Sequence, residues 1–194
     1  VLRPQDVTAG IYPLAAASHD FDHTLFHVRQ CARTACRNGQ ASRLCGTDQC
    51  RFCQERWSLL EDFFHALERK EFQLSIQFFV DAATLRIVGG EALSRWYHPK
   101  FGLLSPDRYI PLLEESGQIE KLDFYGLEKA CCFLEELNRR QIQDFFLSCN
   151  FARKTFSAPD FAQQCAQVLR QYTFPRKLLI LEVTESQQMS RSEM

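Results

Sequence analysis

Apolar side chains at Leu25, Val28, Ala32 and Ala35 recur at helical spacing, which predicts a helix between a short apolar stretch at Ile11 and Gly39. Asp20 or Asp22 caps its start and Gly39 its end. Gln40 to Cys53 is polar and turn-rich, the pattern of a linker. Trp57, Leu60, Phe64 and Leu67 then mark a second helix with one apolar face, which runs out into the charges Glu68 to Glu71. After that the pattern becomes strand-like. Gln73 to Val80 and Leu85 to Leu93 are two runs joined by Asp81-Ala82-Ala83-Thr84, short enough for a hairpin. Pro106 opens a short helix to Glu115 with Gly117 as its stop, and Asp123 caps a longer one through Arg140, with Leu127, Cys131, Leu134 and Leu137 on one face. Phe145 to Asn150 reads as an apolar strand, Pro159 to Tyr172 as a helix, and Leu178 to Thr184 as another apolar strand.

Apolar strands alternating with helices predict an α/β fold whose parallel strands are buried on both faces, and either a barrel or an open doubly wound sheet fits. Composition narrows the function more than the fold. The chain has 194 residues with 45% hydrophobic side chains, which excludes disorder and low complexity. A net charge of -1 excludes the global basic field that grips nucleic acid or anionic lipid, so phosphate recognition has to be local. The one locally positive stretch has Arg29, Arg33, Arg37, Arg43, Arg51 and Arg56 against Asp48 and Glu55, which reads as a solvated face. No apolar run approaches the ~20 residues that cross a bilayer. Nine cysteines, an odd number in a chain of this length, read as reduced thiols of a cytoplasmic protein. The first residue is Val1 and not Met, and Met194 comes shortly after an apolar run, so both ends read as cuts.

Three of the strand-like runs end in a side chain carrying oxygen: Glu91, Asn150 and Glu182. In parallel α/β folds the carboxyl ends of the strands share one face, so the three are expected to converge. Two carboxylates and an amide carbonyl, without His or Cys, form a hard-oxygen set suited to Mg²⁺ or Mn²⁺ and poorly to Zn²⁺. Arg95, just past Glu91, carries a planar guanidinium that fits phosphate oxygens. A metal beside an arginine points to a phosphate ester, although a Glu or Asn at a strand end is more often a turn or cap residue.

The run Gly90-Glu91-Ala92-Leu93-Ser94-Arg95-Trp96-Tyr97-His98-Pro99 resembles the signature of EAL domains, the family of cyclic di-GMP phosphodiesterases. Residues further along the chain keep step with the same family: Phe101-Gly102, Ser105-Pro106, Tyr109 to Leu112, Glu114 to Gly117, Leu122-Asp123, Asn150-Phe151-Ala152, and Leu181-Glu182-Val183-Thr184-Glu185-Ser186. The resemblance implies a TIM-like (β/α)8 EAL barrel, of which residues 56 to 194 are the first, truncated half, well short of the ~250 residues of a closed barrel. It implies that Glu91, Asn150 and Glu182 are metal ligands, that Arg95 holds a substrate phosphate, that Leu93 and Gln77 line the substrate, and that Glu185 supports the loop beside the metals. Phe78 and Phe79 stand where the family has a proline and its neighbour after Gln77. His98, in a turn beyond the strand, and Trp96 are expected to be structural.

In that family two divalent metals activate water to open cyclic di-GMP to linear pGpG. The Asp-Asp pair, the lysine and the general base that complete the family's site are expected beyond Met194, so the fragment is expected to be inactive alone and its parent active. A non-hydrolytic cyclic di-GMP receptor or scaffold is the alternative. The resemblance leaves room for a homodimer through the EAL domain and for an upstream membrane anchor in the parent, with no nucleic acid or membrane contact from this segment. Residues 1–40, with Asp20-Phe21-Asp22, Ala32, Ala35 and Asn38-Gly39, resemble the closing helix of a GGDEF domain, which makes 41–55 the linker. Cys45, Cys50 and Cys53, with Cys31 and Cys36 nearby, raise a zinc-dependent interaction module as a third reading, against reduced linker cysteines. Cys131, Cys132, Cys149 and Cys165 are expected to be small core or surface residues.

Overall fold

A computed structural model of the chain describes residues 7–12, 21–44 and 51–184. It divides into two compact units, residues 1–63 and 64–194.

In the first unit, strand β1 (Ala9–Ile11) pairs in parallel with β2 (Ser42–Leu44), and helix α1 (Phe21–Arg37) lies between them in sequence. The buried side of α1 is His27, Gln30, Cys31 and Ala35, whereas the expected stripe of Leu25, Val28 and Ala32 is only half-buried. The helix is therefore rotated from the apolar arc, with Gln30 buried and His27 buried beside the half-buried rings of Tyr12 and Phe26. The stretch that reads as a linker also carries ordered elements. Ser42–Leu44 forms a strand too short to leave a period in the sequence, and helix α2 (Arg51–Glu68) starts at Arg51, ahead of its first apolar marker. Asp20, Cys45 and Cys50 lie outside the described residues.

The second unit is built on one mixed sheet. Strand β3 (Phe72–Val80) runs antiparallel to β4 (Ile87–His98), as the short connection required, with Asp81 Oδ1 accepting from the backbone N–H groups of Ala83 and Thr84 in the turn. The short β5 (Gly102–Leu104) pairs antiparallel with the last residues of β4. Strand β6 (Phe146–Ala152) pairs in parallel with β4, and β7 (Leu179–Thr184) in parallel with β6. Helices α3 (Pro106–Ser116) and α4 (Ile119–Arg139) connect β5 to β6, and the short α5 (Arg153–Phe156) and α6 (Phe161–Leu169) connect β6 to β7. The fold class is thus mixed α/β, with a first strand that opposes the parallel set.

The expectation of strands buried on both faces is met only in part, along β6. On one face Ala92, Leu147, Cys149 and Phe151 pack with Leu127, Ala130, Cys131 and Leu134 of α4 and with Cys165 and Val168 of α6. Most alternate residues of the same strands are half-buried or exposed, Gln77, Glu182 and Ile180 among them, whereas Ser148 and Ala152 are buried. Burial in this thiol-rich core pushes the Cys131 and Cys149 side chains up to about 12, so they stay protonated and behave as small apolar residues.

Two further elements differ from the pattern. Strand β4 continues seven residues past Glu91, because Trp96 and His98 are buried and Trp96 stacks on Phe72 at 4.7 Å. His98 therefore closes a strand, its Nδ1 accepting from Lys100 N–H, and the Trp96 indole donates to Glu71 Oε2. Helix α4 starts at Ile119, four residues before Asp123, so Asp123 does not cap it.

Candidate functional site

Register decides which side chains meet. Glu91 is the cross-strand partner of Gln77 on β3 and of Ser148 on β6, while Asn150, two residues on, is the partner of Glu182 on β7. Paired residues on neighbouring strands share a face, and so do residues two apart on one strand. Gln77, Glu91, Leu93, Arg95, Asn150 and Glu182 consequently all lie on the face opposite α4. The parallel ladder between β4 and β6 ends at Ala92 and Cys149, so Glu91 stands at the end of that ladder although β4 itself continues.

The two glycines before Glu91 make this close approach sterically feasible. A Cβ on Gly89 would lie 2.6 Å from the carbonyl oxygen of Phe146, and one on Gly90 2.5 Å from Ile76 Cγ2. Larger residues would separate β4 from its neighbours and with them Glu91 from Asn150.

The Asn150 amide, through Nδ2, donates to Glu91 Oε1 at 2.5 Å, joining the first two candidate ligands directly. Glu182 is exposed on the adjacent strand, level with Asn150. Arg95 is half-buried and turns its guanidinium back along its own strand, donating from Nη1 to the Ser94 carbonyl at 2.9 Å. That carbonyl also accepts from the hydroxyl of the buried Tyr109 on α3, which lies within hydrogen-bond distance of Ser94 Oγ as well. Gln77 is exposed and Leu93 half-buried. Phe79 stacks on Phe146 at 5.7 Å, which packs this face on the side of Gly89. Glu185 lies outside the described residues, and so do the positions of Cys45 and Cys50; Cys53 falls within α2.

Asp123, a helix cap by its place in the sequence pattern, has a different task. Its Oδ2 accepts both from Ala152 N–H at 3.0 Å and from Thr155 Oγ1, which fastens α4 to the end of β6 two residues beyond Asn150. Burial raises its carboxyl from the ordinary 3.8 to about 6; the two hydrogen bonds oppose that rise, and the charges of Glu114 and Glu120 add to it. The carboxylate also borders a cavity of about 160 Å³ lined by Leu93, Pro106, Ile110, Lys129 and Asn150. An acidic residue four positions into an amphipathic helix is the only sequence signal of this role.

The donor set fits a hard divalent cation in kind. Glu91 and Asn150 present oxygen-bearing side chains within hydrogen-bond distance of each other, and a second carboxylate stands on the next strand. Among the described residues no group of three or more His, Cys, Asp or Glu gathers as a metal site.

The EAL domain family matches residues 60–194. The chain belongs to the EAL family. It is 33% identical over 136 residues to the bifunctional diguanylate cyclase/cyclic di-GMP phosphodiesterase MucR of Pseudomonas aeruginosa, covering 70% of this chain and 20% of that protein. It is 30% identical over 185 residues to the cyclic di-GMP phosphodiesterase PA2567 of the same organism, covering 93% of this chain and 31% of the relative. Among solved structures, the MucR phosphodiesterase in its cyclic di-GMP complex superposes with a TM-score of 0.63 at 32% identity, over 69% of this chain and 54% of that one. The chain thus spans about half, or less, of the length of these EAL relatives. EAL phosphodiesterases are generally dependent on divalent metals, and the hard-oxygen set of this EAL chain agrees with that requirement in donor type.

Proposed function

We propose that this chain carries the cyclic di-GMP-binding and metal-holding front part of an EAL phosphodiesterase that hydrolyses cyclic di-GMP to pGpG. The observation that carries the reading is the register-enforced meeting of Glu91 with Asn150, with Glu182 level on the next strand. Glu91, Asn150 and Glu182 would hold Mg²⁺ or Mn²⁺. Such ions, when bound, neutralise phosphate charge and lower the pKa of water. Arg95 leaves the Ser94 carbonyl to bind a phosphate oxygen, an ion-to-ion contact stronger than the one to a neutral carbonyl that it gives up. Leu93 and Gln77 border the nucleotide on the same face, and Glu185 braces the loop after β7.

In this reading the general base is none of Glu91, Asn150, Glu182 or Arg95, so the front part binds without turning over. The same reading takes residues 1–40 as the end of a GGDEF-like domain of a cytoplasmic protein, 41–55 as the connection, and an EAL domain that pairs with a second copy.

The test is calorimetric titration of the 194-residue chain with cyclic di-GMP in Mn²⁺ or Mg²⁺, with product analysis, beside Glu91→Ala. Metal-dependent binding that Glu91→Ala abolishes, without pGpG, is the expected result. Release of pGpG by the chain alone would overturn its assignment as a non-catalytic part, and binding unaffected by Glu91→Ala would overturn the site.

A further inference from the structure

Ser148 lies beside the Glu91–Asn150 pair on the sheet. It is the register partner of Glu91 across β4 and β6 and stands two residues before Asn150, so its side chain shares their face. It is 0% exposed, and its Oγ has no hydrogen-bond partner among the described residues. A buried hydroxyl in that condition costs stability, which an alanine in the same place would recover. Such a group calls for a physical reason, and an arrangement of the site other than the present one supplies it.

The Glu91–Asn150 hydrogen bond shows which arrangement. Asn150 turns Nδ2 toward Glu91, and an amide nitrogen is no ligand for a hard cation. For both residues to bind a cation through oxygen, Asn150 must present Oδ1, while its Nδ2 meets at most one oxygen of Glu91 and leaves the plane of the carboxylate to be fixed by a second donor. We propose that Ser148 is that second donor, a positioning residue: the Oγ–H of Ser148 donates to the Glu91 carboxylate in the cation-loaded site and fixes the plane of that ligand. Hydrogen bonds of this kind, from outside the ligand set, commonly set metal affinity. The inference rests on the reading of Glu91, Asn150 and Glu182 as a cation site.

The experiment is Mn²⁺ titration of the 194-residue chain, monitored by the loss of the free-ion paramagnetic resonance signal, for the parent, Ser148→Ala and Glu91→Ala, with thermal melts in EDTA. Ser148→Ala is expected to melt at the same or a higher temperature than the parent without metal, yet to bind Mn²⁺ roughly 10-fold more weakly. Glu91→Ala is expected to lose binding. If Ser148→Ala binds as tightly as the parent while Glu91→Ala does not bind, the Ser148 role is overturned and the cation site stands. A clearly lower melting temperature for Ser148→Ala in EDTA also overturns it, because the hydroxyl would then already have a task in the metal-free fold. If the parent takes up no Mn²⁺, or Glu91→Ala binds it equally well, the site reading and this inference fall together.

Discussion

The two faces of the second unit's sheet are made by alternate residues of the same strands, yet they differ in nearly every physical property. Toward α4 point Ala92, Leu147, Cys149 and Phe151, apolar and buried. Away from it point Gln77, Glu91, Arg95, Asn150 and Glu182, polar and half-buried or exposed. Burial on the first face stabilises the fold, so the second is free to carry groups that cost stability, Ser148 among them. A substitution should therefore move either stability or ligand binding according to whether it falls on an odd or an even position of one strand.

Phe151→Ala tests this contrast with the largest expected effect. Phe151 is 0% exposed and meets Phe124 and Phe161 edge to face. Truncating it should destabilise the second unit by about 3–5 kcal/mol, read as a shift of the urea midpoint.

Asp123 joins the two faces, since it fastens α4 to the end of the strand that bears Asn150. Its carboxyl is raised from 3.8 to about 6, so the stability linked to its neutral form is complete below about pH 4 and is lost as pH rises through 6. Both donors meet the same oxygen, Oδ2, which an asparagine carbonyl can replace. Asp123→Asn should flatten the stability profile between pH 4 and 7 and be the more stable protein at pH 7.5, by about 3 kcal/mol at most from a shift of roughly two pH units. Melting temperatures across that range decide it; a profile as steep in the variant as in the parent would assign the pH dependence to other groups.

Glu182→Ala, on the exposed face, has the smallest expected effect on stability, within about 0.5 kcal/mol. The same variant should weaken Mn²⁺ uptake several-fold. Loss of stability comparable to that of Phe151→Ala would erase the distinction between the faces.

The ordered motifs around Glu91, Asn150 and Glu182 were legible in the sequence because their neighbours are chemically specific: glycines that permit close strand approach, and an arginine at a fixed distance along the same strand. The hairpin between β3 and β4 was legible from a connection of a few residues. The reach of β4 beyond Leu93 was not, because Trp96 and His98 read as loop residues until Phe72 and Glu71 are brought beside them. The rotation of α1 was hidden for a related reason: polar His27 and Gln30 are taken inside by contacts far along the chain. Asp123 had the appearance of a cap, since its partners Ala152 and Thr155 lie about thirty residues downstream.

By itself the sequence determined the order of the longer helices and strands and the family, and it brought forward the oxygen-bearing residues of the candidate site, all of which depend on local spacing and side-chain chemistry. Only the tertiary structure decided that one face packs against helices while the other carries the polar set, that Glu91 and Asn150 touch, and that Ser148 lies buried beside them. These facts depend on strand register, where a slip of one residue exchanges the two faces. Register is set by packing between segments that are dozens of residues apart.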